Sequence, residues 1–150
     1  MRTDCVRAIR ASVRPVRRMN ASLCNIPPRL TVMAVDDEET ILSLIVELLQ
    51  DLGYTPVFAS RGDCALALLA QASQLDLLIT DIRMPGMSGI ELAERIRRDR
   101  PELPVIFVTG YAAEFQASDR RLPERTTLLT KPFTLDALAQ TVHRMMATAH

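Results

Sequence analysis

The chain has 150 residues, 48% of them hydrophobic and 24% charged, with a formal net charge of zero, the composition of a soluble globular protein of one domain. No apolar run approaches the ~18 residues of a membrane span, and no apolar core precedes a small-residue cleavage site, so a cytoplasmic location is expected. Cys5, Cys24 and Cys64 are odd in number and form no CxxC pair, which argues against a disulfide framework or a zinc site and leads us to expect reduced thiols.

The zero net charge hides an asymmetry. Residues 1–30 hold seven arginines and one acid, Asp4, whereas the other 120 residues hold 11 basic and 17 acidic groups. Of the 18 basic residues, 17 are arginine and the only lysine is Lys131. A chain that uses arginine for ordinary surface duty keeps a lysine where a compact ammonium is needed.

Residues 1–29 carry Pro15, the Pro27-Pro28 pair and like charge throughout, and read as a basic, disordered N-terminal extension. A translation start placed too early, a tail that touches nucleic acid or membrane, and a targeting peptide are the three readings. The first is favoured, because no aromatic residues interleave with the arginines. A domain is expected over 30–147. Leu30 to Val35 is the first strand and runs into Asp36, Asp37, Glu38 and Glu39. Ile41, Leu44, Ile45, Leu48, Leu49 and Leu52 then mark one helix face, ended by Gly53. Thr55 to Ala59 is a second strand, and Asp63 is a candidate cap for a helix of Ala65, Leu68, Leu69 and Ala72.

The run from Leu75 to Thr80 lacks the alternation of a half-exposed strand, so it reads as buried on both faces, and it ends on Asp81. Pro85 and Gly86 break the chain, and Ser88 is placed to cap a helix whose inward face is Ile90, Ala93 and Ile96. Val105 to Val108 is a fourth buried strand ending at Thr109-Gly110. The helix after it, over Tyr111 to Ala117, is poorly signalled. Thr127 to Thr130 is the fifth strand, ending on Lys131-Pro132-Phe133, and a last helix from Thr134 turns Leu135, Leu138, Val142 and Met145 inward.

Five strands alternating with helices predict an α/β fold, a doubly wound five-stranded parallel sheet. Singly, Asp36 and Asp37 read as a solvated strand end, Thr109 as a cap and Lys131 as surface decoration. Jointly they fall just past the C-terminal ends of the first, fourth and fifth strands, with Asp81 at the end of the third, where open parallel sheets place their chemistry. Clustered carboxylates repel one another, and a hard divalent cation such as magnesium is the usual remedy. A carboxylate beside such a cation can attack phosphorus to give an acyl phosphate, with the lysine and the hydroxyl on other phosphoryl oxygens.

VDDEE at 35–39, TDIRMPGMSG at 80–89, VTGY at 108–111 and TKPF at 130–133 resemble the receiver domain of bacterial two-component response regulators. The resemblance implies a flavodoxin-like (CheY-like) sheet of order 2-1-3-4-5 and a cis Lys131-Pro132 bond. It implies Asp81 as phosphoacceptor, Thr109 as switch hydroxyl and Lys131 as phosphate-binding lysine. Mg2+ would be held by Asp37 and Asp81 directly, by Asp36 through water, and by the backbone carbonyl of Arg83. One position departs from the family: the aromatic residue usual three places before the lysine is Leu128 here, so a shift of the Tyr111 to Ala117 helix is expected to carry the signal instead. Arg83 and Tyr111 flank the site and are expected to slow loss of the phosphoryl group.

The chain stops just after the last receiver helix, so no DNA-binding domain is expected. A single-domain response regulator follows, phosphorylated by a histidine kinase or phosphotransfer protein and signalling to an unidentified downstream protein through the fourth helix, fifth strand and last helix. It would catalyse only its own phosphorylation and dephosphorylation. A phosphate shuttle or sink in a phosphorelay, and a binding-only receiver adaptor, are the alternatives. A haloacid-dehalogenase-type phosphohydrolase is disfavoured, because its nucleophile follows the first strand in a DxD pattern, where this chain has adjacent Asp36 and Asp37. His143 reads as a half-exposed helix residue rather than a phosphodonor.

Overall fold

The apolar runs lack alternation because both faces of the sheet are covered. The computed structural model describes residues 29–72, 74–113 and 122–148. Along them run β1 (Thr31–Val35), α1 (Glu39–Asp51), β2 (Thr55–Ala59), α2 (Gly62–Leu69), β3 (Leu77–Asp81), α3 (Gly89–Asp99), β4 (Val105–Thr109), β5 (Thr126–Thr130) and α4 (Leu135–Thr148). The five strands form one parallel sheet in the order β2-β1-β3-β4-β5. Successive side chains of a strand point to opposite faces. Met33 and Val35 of β1 therefore join Leu78 and Phe107 against α2 and α3, while Val32 and Ala34 join Leu77, Ile79, Ile106 and Val108 against α1 and α4. The central strands β3 and β4 are buried throughout. The edge strands are less so, and β2 accommodates Pro56, which an edge position permits.

Asp76, the polar residue that interrupted the third apolar run, lies just outside β3. Its Oδ2 accepts the Thr31 N–H at 2.7 Å while its own N–H donates to the Thr31 carbonyl at 2.9 Å, which seats β3 against the start of β1. At the same end of the sheet Arg97 gathers four bonds to three carbonyl oxygens. Its Nε and Nη2 donate to Leu103 O at 3.1 and 2.8 Å, and Nη2 also donates to Glu124 O and Arg125 O, both at 3.1 Å. Burial depresses the guanidinium pKa of Arg97. The arginine ties the end of α3 to the starts of β4 and β5.

Several local expectations are corrected. The buried face of α1 is Leu42, Ile45 and Leu49, and Leu44 is 44% exposed, because a leucine-rich helix offers an apolar arc wider than the sheet can cover. On α3 the fully buried residue is Leu92, with Ala93 and Ile96 beside it and Ile90 at the margin. Asp63 does not cap α2: Arg61 holds that position, and Asp63 sits in the first turn with its carboxylate on the N–H of Cys64. Leu135 is 45% exposed, while Leu138, Val142, Met145 and Met146 turn inward. Cys64, expected as a thiol, is disulfide-bonded. Ser88 caps α3 as expected, accepting the Glu91 N–H at 3.1 Å, and Thr134 accepts the Ala137 N–H at 3.0 Å at the start of α4. Of the helix expected after β4, residues 112–113 are helical, and positions 114–117, like residues 1–28 of the N-terminal extension, lie outside the described residues. Among the described residues no helix is long and apolar enough to cross a membrane.

Candidate functional site

The strand order reverses between β1 and β3, since from β1 the chain steps out to β2 on one side and returns to β3 on the other. Such a reversal leaves a crevice at the C-terminal rim, between the residues that follow the two strands. Asp36 and Asp81 occupy it. Asp36 is buried; its Oδ1 accepts the Glu38 N–H at 2.9 Å, an Asx turn that bends the chain from β1 into α1. The four successive acids also lie at the N-terminus of α1, where the helix dipole favours negative charge.

Lys131 completes the site from the far side. β5 is two strands from β3, on the order of 10 Å. A long unbranched stem is needed to bring an amine across. The Lys131 N–H donates to Thr109 O at 2.8 Å, fixing the root of that stem. Its ammonium then meets Asp36 Oδ2 at 3.1 Å, Asp81 Oδ2 at 3.3 Å and Glu38 Oε1 at 3.3 Å. The Lys131-Pro132 peptide is cis, as the resemblance implied.

One ammonium answering three carboxylates leaves a negative excess, and the titrations reflect it. Burial, followed by the neighbouring Asp36 charge, pushes the Asp81 carboxyl up to about 6, although Lys131 pulls the other way. Burial also raises Asp36, against the Glu38 N–H and Lys131. Burial alone would lower Lys131, but its hydrogen bond to Asp36 and the charges of Asp36 and Asp81 outweigh this and raise it. Asp36 Oδ2 is fully buried and, apart from the ion pair with Lys131, accepts no hydrogen bond of good geometry. Carboxylate oxygens of Asp36, Glu38 and Asp81 all lie within 4.8 Å of one another. That donor set, hard oxygens short of positive charge, fits a small divalent cation.

The third carboxylate that converges with Asp36 and Asp81 is Glu38. Asp37 is exposed, and its charge adds to the rise of the Asp81 carboxyl. The Asx turn sends Asp36 inward and Asp37 outward, and the longer stem of Glu38 reaches back. Glu38 meets its partner Lys131 only across the sheet, so the run of four acids does not mark it out by itself. Gly89 was also overlooked. A Cβ there would fall on the backbone carbonyl of Asp81 and within 3.0 Å of Thr80 Oγ1, so only glycine lets α3 begin this close to the end of β3. Its N–H donates to Ile82 O at 2.9 Å, closing the loop that carries Arg83.

Thr109 is buried at the end of β4, and its Oγ1 accepts the Tyr111 N–H at 3.0 Å. The guanidinium of Arg83 lies over the Tyr111 ring, 3.9 Å from its centroid, bridging the loops after β3 and β4. Leu128 pairs with Phe107 across β4 and β5 and packs partly buried against the core on the α2 and α3 side. His143 is exposed on α4, 6.4 Å from the Tyr54 ring.

The sequence profile of the response regulator receiver domain matches residues 32–143. The response regulator receiver protein CpdR of Brucella abortus is 34% identical over 118 residues, 79% of this chain and 98% of that protein. The sensor kinase CckA of the same species is 35% identical over 117 residues, 77% of this chain but only 12% of that protein. Among solved structures, a response regulator receiver protein from Sinorhizobium medicae superposes with a TM-score of 0.73 at 28% identity, covering 82% of this chain and 98% of that one.

Proposed function

The chain belongs to the response regulator receiver family of two-component signalling, and on that premise we propose that it accepts a phosphoryl group on Asp81 and signals by protein contact as a single-domain regulator. The observation that carries this reading is the chain's single lysine, brought across the sheet to 3.3 Å from Asp81. An Asp81 carboxylate oxygen forms the new O–P bond as the P–N bond of a phosphohistidine breaks, the electron pair returning to the imidazole nitrogen. Lys131 pairs with a phosphoryl oxygen, and Thr109 turns its hydroxyl to another. Asp36, Asp37, Asp81 and the Arg83 carbonyl would hold Mg2+, with Glu38 beside them. When bound, that ion supplies charge neutralisation for the transferred group.

The donor is a histidine kinase or phosphotransfer protein in the cytoplasm, and the chain catalyses only its own phosphorylation and dephosphorylation. The near-complete coverage of CpdR supports a single-domain role. The match to the receiver of a sensor kinase, CckA, supports a second reading, a phosphate shuttle or sink in a phosphorelay. Intact mass after incubation with Mg2+ and a small-molecule phosphodonor tests the first step. One added phosphoryl group, absent in Asp81→Asn, is expected; its absence from wild type, or its persistence in the variant, would overturn the assignment. A short lifetime of the adduct would select the sink.

A further inference from the structure

The ammonium of Lys131 donates hydrogen bonds to Glu38 Oε1 and Asp81 Oδ2, both at 3.3 Å, and pairs by charge with Asp36 Oδ2 at 3.1 Å, so a phosphoryl oxygen has to compete with carboxylates already drawn to it. The three partners are not equivalent. Asp36 is fully buried, and its Oδ2 has no hydrogen bond of good geometry to replace the lysine. Asp81, itself buried, is the attacking carboxylate. The Glu38 side chain is 59% exposed and loses little by turning to water.

We propose that Glu38 is a latch on Lys131: it occupies, in the resting chain, the ammonium N–H that a phosphoryl group on Asp81 takes over, and thereby holds the lysine back until that group arrives. The proposal rests on the reading of Asp81 as phosphoacceptor. It makes Glu38 a positioning residue acting through Lys131. No chemistry is assigned to its own carboxylate, which swings outward as the phosphoryl oxygen takes its place. The placement of Glu38 explains how it can do so. The Asx turn at Asp36 fixes its backbone beside the crevice, while its side chain stays at the solvent edge.

The test uses the full chain and two substitutions. Glu38→Gln removes the latch; Glu39→Gln removes one charge from the next residue, which is not among the ion-pair partners of Lys131. Because Lys131 is the only lysine, labelling with lysine carrying 15N at Nζ gives one ammonium resonance. That resonance is expected to move in Glu38→Gln and to stay in place in Glu39→Gln. With saturating Mg2+ and acetyl phosphate, phosphoryl uptake by intact mass is expected to be about two- to fivefold faster in Glu38→Gln than in Glu39→Gln, the range to which an exposed ion pair converts. Mg2+ affinity is expected to fall equally in both. An unmoved lysine resonance, or equal or slower uptake in Glu38→Gln, would overturn the latch. A Mg2+ affinity about tenfold weaker in Glu38→Gln alone would overturn it in favour of a metal ligand. Failure of wild type to take up phosphate while the lysine resonance still responds to Glu38→Gln would refute the Asp81 reading and, with it, any latch on phosphorylation.

Discussion

Replacing Asp81 by Asn should make the metal-free protein more stable. The Asp81 carboxyl titrates at about 6 in the folded chain against an ordinary 3.8, because burial and the Asp36 charge oppose its ionisation. Between those two values the folded state keeps a proton that the unfolded chain has released, so stability falls as pH rises through the window. At 1.36 kcal/mol per unit, the full cost of the charge is on the order of 3 kcal/mol and is present at pH 7.5. Lys131 does not alter the sign, since its raised pKa costs stability only when pH climbs past its ordinary alkaline value. Asparagine fills the same space without the charge. We expect Asp81→Asn to gain about 1–3 kcal/mol at pH 7.5 in EDTA. A shallower fall in stability with rising pH should remain above about pH 4, since Asp36 is also raised and acts in the same direction. Urea unfolding followed by far-ultraviolet circular dichroism measures both. Added Mg2+ should narrow the difference by stabilising wild type more than the variant. A variant less stable than wild type at pH 7.5, or a wild type whose stability climbs from pH 5 to 7, would show that the carboxylate is not held under the strain deduced from its burial.

Three further outcomes are expected. Gly89→Ala places a methyl group on the Asp81 carbonyl and should cost about 1–3 kcal/mol and slow phosphoryl uptake, whereas an unchanged unfolding midpoint would mean that α3 moves away freely. Leu92→Ala, at a fully buried site, should cost about 2–5 kcal/mol, while Leu44→Ala on the outer side of α1 should stay within about 0.5 kcal/mol. Equal effects in urea unfolding would contradict the assignment of helix faces. Lys131→Met strips Asp36 of its compensation and should destabilise the metal-free chain by about 3–5 kcal/mol at pH 7.5, with recovery as the carboxyls protonate toward pH 5; a loss independent of pH would point to packing instead.

The strands and the polar residues at their ends were legible because both faces of the sheet are buried. Continuous apolar runs and the polar residues that stop them then fall at the same places that the fold uses. Asp36, Asp81 and Lys131 could be placed at one rim from strand endings alone. The helices were less legible. The leucines of residues 41–52 outnumber the positions the sheet can cover, so periodicity marked Leu44 and passed over Leu42. At Asp63 a side chain of good capping type lost to a helix that begins two residues earlier, with Arg61 as its cap. Glu38 and Gly89 depend on contacts between segments distant in sequence, Lys131 in one case and the Asp81 carbonyl in the other, and no local pattern contains them.

The long connection between β4 and β5 is bounded by two arginines that belong to other elements. Arg83 rests on Tyr111 where the connection leaves the rim, and Arg97 holds the carbonyls of Glu124 and Arg125 where it returns to the sheet. Lengthening a surface connection adds little closure entropy when its anchorage is kept, growing only with the logarithm of its length. With both clamps kept, a change in the length of the connection would leave the register of Thr126–Thr130, and with it the reach of Lys131, set.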